Sequence, residues 1–333
     1  MPRFSIVLPV KNGGQHFKDC VASILNQSFR DFNLIVLDNV STDGSVEWIK
    51  SVRDSRVKLF ESDRPLSIEE NWSRILKTGR NEFMTIIGHD DLLHENYLAE
   101  MEQLIQKHPS ASLYQTHFRY IDGYGRFIRP CKPMKEIQFA EDFLATQFLD
   151  KIDSTGTGYM MRSADFDAVG GMPVNFPNLI FADYALWIKL MMRGFKATSE
   201  KECFSYRVHD SVSKLTNGVV YFNAFGEYVE FLDEIKKNNS GIQAVIDENG
   251  KQFLLKFCES LAHRLLKTPK ELRSIGVKEL VNSFYKYAVL LLPEQDFEPL
   301  DRPGIKWAVF FDSNSIIRSL FLAANRLRRS MKI

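Results

Sequence analysis

Cysteine is scarce and dispersed in this chain. Its four residues, Cys20, Cys131, Cys203 and Cys258, lie far apart and form no Cys-x-x-Cys pair. That spacing excludes a disulfide framework and a cysteine-ligated zinc site, and suits a reducing compartment. Long apolar runs are missing as well. No stretch approaches the roughly 20 residues needed to cross a bilayer, and the apolar run stopped by Lys11 is too brief for a secretory signal peptide. The expected location is therefore cytoplasmic. Charge of one sign is not in excess: 43 Lys and Arg face 42 Asp and Glu, so nothing global argues for a nucleic-acid partner. No Gly-x-Gly-x-x-Gly follows any apolar strand and no Walker loop occurs, which counts against a nicotinamide oxidoreductase and a P-loop NTPase. Internal repeats and low-complexity tracts are absent too.

The 333 residues are 44% hydrophobic and 26% charged, with 26 Phe, enough for a sizeable core with heavy aromatic content. Phe4–Val10 reads as a strand buried on both faces, followed by the turn Lys11-Asn12-Gly13-Gly14. Phe17, Val21, Ile24 and Leu25 then recur at helical spacing. A second apolar run, Leu34–Leu37, ends in Asp38-Asn39. The capping-rich Ser41-Thr42-Asp43-Gly44-Ser45 predicts a helix to about Lys50. A third strand falls at Val57–Phe60, a helix at about 67–78, and a fourth strand at Phe83–Ile87, ending in Gly88-His89-Asp90-Asp91. Repeated strand, turn and helix predict an α/β domain with a mainly parallel sheet flanked by helices. Ligands of such sheets gather at the carboxyl ends of the strands, so the acid-bearing ends at 11–12, 38–39 and 89–91 should converge on one crevice. Residues 111–215 mix short strands, turns and helices, with a hairpin turn at Asp122–Gly125, a loop at Gly170–Pro173 and a helix at 182–193. From about 216 the pattern turns helical. The expected division is 1–215 and 216–333.

Each candidate residue has two readings at this level. Asp90 and Asp91 repel unless a cation lies beside them, and a hard divalent ion, Mg²⁺ or Mn²⁺, would relieve that and hold a diphosphate. Alternatively, Asp91 caps a helix beginning near Leu93. Asp38 suits a hydrogen-bond acceptor for a uracil or ribose, or is a turn aspartate. Lys11–Gly14 could let backbone groups approach a nucleotide. Asp183, at the start of a helix with apolar Leu186, Ile188 and Leu190, is a general base facing the crevice or a residue paired with the helix dipole. His209, in Tyr206-Arg207-Val208-His209-Asp210-Ser211, is a ligand or a structural histidine.

Taken in order, the series resembles the family 2 glycosyltransferases of the GT-A fold. Pro9-Val10-Lys11-Asn12, SILNQSF at 23–29, LDNVSTDGS at 37–45, ENW at 70–72 and GHDD at 88–91 are similar to its donor-binding half. VGGMP at 169–173, ADYALW at 182–187 and YRVHDSVS at 206–213 resemble its acceptor loop, base and histidine segments. The likeness spans about residues 3–213 and implies roles. Asp38 would hold the uridine, with Pro9 and Asn12 lining that pocket and Asn71 near it. Asp91 would bind the metal, with Asp90 on the sugar or ribose. Asp183 would be the catalytic base of an inverting displacement, and His209 would complete the metal or diphosphate site. Two departures stand out: His89 replaces a frequent first aspartate of the DxD motif, and Ala182 replaces a frequent Glu.

The resemblance implies an inverting, metal-dependent hexosyltransferase. It would use Mn²⁺ or Mg²⁺ to move a sugar, expected from UDP, to a glycan or lipid-linked glycan. The expected setting is assembly of bacterial surface polysaccharide such as lipopolysaccharide O-antigen or capsule. The competing classes are a sugar nucleotidyltransferase, for which Lys11–Gly14 is a poor phosphate loop, and a non-catalytic nucleotide-sugar-binding module. At the C-terminus, Ile317, Leu320, Phe321, Ala324 and Leu327 fall on one helical face, with Arg318, Arg326 and Arg329 elsewhere and Arg328 near the apolar side. Residues 315–333 then read either as a helix packed on the protein or as a peripheral contact with the inner face of the cytoplasmic membrane.

Overall fold

The computed structural model describes residues 2–208 and 217–330, and the side chains to residue 323. The chain divides into two compact units, Met1–Ser211 and Val212–Ile333. The division expected at 215 lies in the 209–216 segment, outside the described residues.

The first unit is built on one sheet. Strands β1 (Phe4–Val10), β2 (Phe32–Asp38), β3 (Val57–Phe60) and β4 (Phe83–Ile86) run parallel in the order β3-β2-β1-β4. Beyond β4 come β9 (Met160–Arg162), β6 (Leu113–Ile121), β10 (Lys196–Arg207) and β5 (Leu92–Leu93). β9 is antiparallel to both its neighbours and β5 to β10, while β6 and β10 are parallel. β7 (Phe127–Pro130) hairpins onto β6, and β8 (Ile137–Gln138) pairs with β10. The expected mainly parallel, helix-flanked α/β sheet is what forms.

Local chemistry accounts for these elements. β1 and β2 are buried along their whole length, as strands covered by helices on both faces must be. β3 alternates partly buried with exposed residues, as an edge strand does. Helix α1 (Gly14–Leu25) buries Phe17, Cys20, Val21 and Ile24 on one stripe. Helices α2 (Ser45–Ser51) and α3 (Ile68–Ser73) follow. In α3, Ser67 accepts from Glu70 N while Glu70 accepts from Ser67 N, a complete capping box. Helix α4 (Tyr97–Lys107) begins four residues later than the Leu93 expected for it. Leu92 and Leu93 are instead drawn into β5 by pairing with Ser205 and Phe204. Asp91 is therefore no helix cap. Helices α5 (Ala140–Phe148), α6 (Ser163–Ala168) and α7 (Ala182–Met191) complete this unit. All four cysteines are free and buried.

The second unit is helical: α8 (Gly218–Lys236), α9 (Ser240–Lys267), α10 (Val277–Leu291), α11 (Pro303–Ser313) and α12 (Ser315–Ser330). Its core centres on the fully buried Phe225, whose ring lies 4.7 Å from Phe257, 5.3 Å from Phe284 and 5.7 Å from Phe253. On α12, Ile317 and Phe321 of the apolar face are partly buried. Arg318 turns inward at 8% exposure, donating to Leu266 O and Thr268 O at the end of α9, whereas Leu320 is 67% exposed. The unmatched terminal carbonyls of a helix draw a guanidinium more strongly than an apolar side chain. Ala324, Arg326, Leu327, Arg328 and Arg329 lie beyond the described side chains.

Replacing Phe225 by Ala should destabilise the helical unit by about 3–5 kcal/mol, the usual result for a buried Phe. Val289→Ala, at a side chain 71% exposed, should change stability by less than about 0.5 kcal/mol. Urea unfolding followed by circular dichroism measures both.

Candidate functional site

The carboxyl ends of β2, β1 and β4 lie side by side, and their loops are stitched together by short polar side chains. Asn12 donates its N–H to Ser41 Oγ at 2.8 Å and accepts from Thr42 N at 2.8 Å. Gly14 N donates to Asp43 Oδ2 at 2.7 Å and Ser45 N to Asp43 Oδ1 at 3.1 Å. Burial pushes Asp43 upward, but these hydrogen bonds outweigh it and hold its pKa below the usual value. The backbone N–H groups of Asn12 and Gly14 thus serve the neighbouring loop. His89 reaches this loop from the β4 side, with its ring against Gly13.

Pro9 sits in the centre of the sheet without breaking it. Its backbone faces β4, whose pairing with β1 ends at Val7↔Ile86 and a bond from Ile87 N to Val7 O. A missing N–H at that point costs no ladder bond.

Asp38 ends β2 and is 2% exposed. Oδ2 accepts from Ser41 N at 3.2 Å, while Oδ1 is buried without a hydrogen-bond partner. Such an oxygen is costly unless a ligand supplies a donor. Asn71 is tied to the end of the same strand: Nδ2 donates to Leu37 O and Oδ1 accepts from Arg74 Nη1. Arg74 also donates to Asp38 O and Phe60 O, both at 2.7 Å. Asn71 and Arg74 therefore clamp the ends of β2 and β3.

The acid pair leaves β4 through Gly88. A methyl group there would fall 2.7 Å from Asp90 Oδ1 and 3.1 Å from Asp91 Oδ2, so only glycine lets both carboxylates fold back over the strand end. Asp91 is 2% exposed, accepting from Thr157 Oγ1 at 2.6 Å and Arg207 N at 2.9 Å. Burial, then the charge of Asp90, lifts its pKa well above the carboxylate range, against the opposing pull of Thr157 and Arg207. Arg207 reaches around the pair, donating Nε to Asp90 O at 2.7 Å and Nη1 to Asp122 O and Gly123 O at 3.1 and 3.2 Å.

Asp183 approaches the same place from α7. Its Oδ2 lies 3.7 Å from the position a Cβ would take on Gly156, the residue next to Thr157. The 155–157 segment is held on the α7 side by Trp187 Nε1, which donates to Thr155 O at 3.1 Å. Asp183 and Asp91 therefore flank one short segment. Burial raises Asp183 to a pKa of about 6, although bonds from its own N–H and that of Tyr184 at the helix start pull the other way. Its side chain keeps some contact with solvent. Tyr206 stands among the acids: burial, then the charges of Asp91, Asp90 and Asp183, drive its phenol upward, so it stays a neutral donor.

The backbone here is unusually strained. Among the described residues, six that are not glycine have positive φ, and five of them, Asn12, Val40, Asn178, Leu179 and Phe181, stand in these loops. Each such residue costs on the order of 1–3 kcal/mol, and such outliers cluster where a loop must present a side chain.

His209 lies outside the described residues, and among those described no three His, Cys, Asp or Glu cluster as metal ligands. The donor set still fits a hard divalent ion. Mg²⁺ is commonly held by one or two carboxylates together with substrate phosphates and water, and Asp91 with Asp90 supplies two whose repulsion a cation relieves. Arg207, Thr157, Arg74 and Tyr206 escaped the sequence reading. Only the closeness of Tyr206 and Arg207 to His209 in the chain offered a signal.

Residues 5–170 match the family model described as Glycosyl transferase family 2. Glycosyltransferase GlyG of Streptococcus pneumoniae is 26% identical over 125 residues, covering 37% of this chain and 42% of that protein. The UDP-Glc:alpha-D-GlcNAc-diphosphoundecaprenol beta-1,3-glucosyltransferase WfaP of Escherichia coli is 21% identical over 252 residues, 73% of this chain and 89% of that protein. Among solved structures, S. aureus TarS 1-349 in complex with UDP-GlcNAc superposes with a TM-score of 0.62 at 12% identity, covering 93% of this chain and 91% of that one. That last likeness is one of fold.

The geometry gives a direct test of the acid on α7. Carboxyl-carbon NMR should show Asp183 titrating with a midpoint of about 6, ionised above it and protonated below. A midpoint near that of a solvated aspartate, about 3.9, would show that the carboxyl is not desolvated.

Proposed function

The chain belongs to glycosyl transferase family 2 and has a GT-A-like fold, and on that premise we propose that it is an inverting transferase acting on a nucleotide-sugar, of the UDP class. The acceptor is a hydroxyl of a glycan or lipid-linked glycan in surface polysaccharide assembly. The observation that carries this reading is the meeting of Asp183 and Asp91 on the single segment Gly156-Thr157.

Asp183 is the base. With a pKa of about 6, it is mostly ionised at neutral pH yet more basic than a solvated carboxylate, as proton abstraction requires. The acceptor oxygen attacks the anomeric carbon as its proton passes to Asp183. The bond from that carbon to the phosphate oxygen breaks on the opposite face, and the nucleoside diphosphate leaves with the electron pair. The transition state has oxocarbenium character, as in other substitutions at this carbon. Asp38, with Oδ1 awaiting a donor, accepts from the uracil, and Pro9 and Asn12 flank that pocket. Asp91 would hold Mn²⁺ or Mg²⁺, with Asp90 beside it toward the sugar or ribose and His209 as a further ligand. The ion, when bound, would offset charge on the departing diphosphate. Tyr206 keeps a neutral hydroxyl among the three acids.

WfaP is named for UDP-Glc and a diphosphoundecaprenol-linked acceptor, and TarS was solved with UDP-GlcNAc; both support the choice of donor and acceptor class. A nucleotidyltransferase is disfavoured because the Asn12 and Gly14 amides are tied to Ser41 and Asp43 and cannot cradle a phosphate.

Hydrolysis or transfer from a panel of UDP-, dTDP- and GDP-sugars with Mn²⁺ should select the UDP donors. Asp183→Asn should lower turnover by about 10²–10⁴-fold with UDP affinity unchanged, and the wild-type rate should rise with pH through about 6. Near-normal transfer by that folded variant removes Asp183 from the role. Asp38→Ala should weaken UDP binding in calorimetry by about 10–100-fold, the worth of a hydrogen bond to a charged group; unchanged affinity would move the uracil elsewhere.

A further inference from the structure

The last two helices of the second unit leave several large apolar side chains uncovered. On α11, Ile305 and Ala308 are fully buried, while Trp307 and Phe310 are 55% and 48% exposed. On α12, Arg318 is the buried residue, and Ile316 and Leu320, one turn apart, are 70% and 67% exposed. The aromatic rings form one chain across the two helices: Trp307 lies 5.8 Å from Phe310 and Phe311, and Phe311 stacks on Phe321 at 4.6 Å. Asp312, the acid of this region, is turned inward to Arg273 at 2.5 Å and Arg318 at 3.7 Å. An ordinary surface helix does the reverse, hiding leucine and showing arginine.

We propose that α11 and α12 dock on an anionic lipid surface, with Trp307, Phe310, Ile316 and Leu320 entering the interface. The charge pattern selects this occupant over a second copy of the chain. In residues 303–330 Arg318 and the lone acid Asp312 are turned inward, which leaves the exposed Lys306 and, in the sequence that follows, Arg326, Arg328 and Arg329 with no acid among them. Self-association of a segment with this net charge would bring like charges together, whereas an anionic leaflet attracts them. Apolar insertion and basic attraction are the two signals that stable peripheral anchoring needs, and tryptophan favours the boundary between acyl chains and water. No helix among the described residues is long and apolar enough to span a membrane, so the contact is peripheral. This inference does not depend on the catalytic reading, and its test involves no turnover.

Flotation of the full chain should show binding to phosphatidylcholine vesicles containing roughly 30% phosphatidylglycerol and little binding to phosphatidylcholine alone. Trp307→Ser with Leu320→Ser should reduce binding at least about ten-fold, and Arg326→Gln should reduce it by about five-fold. Both substituted apolar side chains are exposed, so the thermal transition should be unchanged; Ile316→Ser, at the most exposed of the four, repeats the test independently. Absence of flotation with anionic vesicles overturns the proposal. So does equal flotation of all variants, or a dimer in solution that Leu320→Ser converts to monomer.

Discussion

A carboxylate nearly cut off from water, that of Asp91, sets the terms for the site around it. Leaving such a charge buried is costly unless it is hydrogen-bonded and opposed by positive charge. The fold meets this with Thr157 on one oxygen and the backbone of Arg207 on the other. The guanidinium of Arg207 meanwhile secures the carbonyls of Asp90, Asp122 and Gly123. One side chain thus joins the end of β4, the β6–β7 turn and the end of β10. The remaining repulsion from Asp90 raises the affinity of the pair for a proton or a cation, which is the physical basis for expecting a metal there.

Much of the first unit was legible in the sequence because its strands are buried on both faces and read as unbroken apolar runs. Val57–Phe60 forms as predicted, and Phe83–Ile86 falls one residue short of the expected strand. The missed helix start near Leu93 is a tertiary effect: Leu92 and Leu93 have no pattern that distinguishes a helix from a two-residue strand, and the partner that decides between them is more than a hundred positions away. Arg207 and Thr157 were invisible for the same reason, since their value lies in contacts that residue type does not announce. Asn71 was picked out by its motif, but only coordinates reveal that its amide braces β2 and Arg74. The inward turn of Arg318 on α12 was not legible because periodicity shows that faces differ without showing which one is covered.

The strained loops fit this picture. Val40 and Phe181 hold a conformation that bulky side chains avoid, and each stands two positions from an acid of the site, Asp38 or Asp183. Relaxing either loop would redirect that acid. The bond from Asn178 N to Glu69 Oε1, at 2.7 Å, ties the segment before α7 to α3. Strain near the two carboxylates is thus balanced by contacts that cross the unit.

The grip of Arg207 on Asp91 spans 116 positions of sequence. During synthesis, β1 to β4 emerge from the ribosome long before residue 207, so the nascent sheet carries an acid pair whose supporting arginine has not yet been made. Products truncated ahead of β10 would keep the loops after β1, β2 and β4 but leave Asp91 with Thr157 as its one partner, and should be preferred targets for chaperones and proteases.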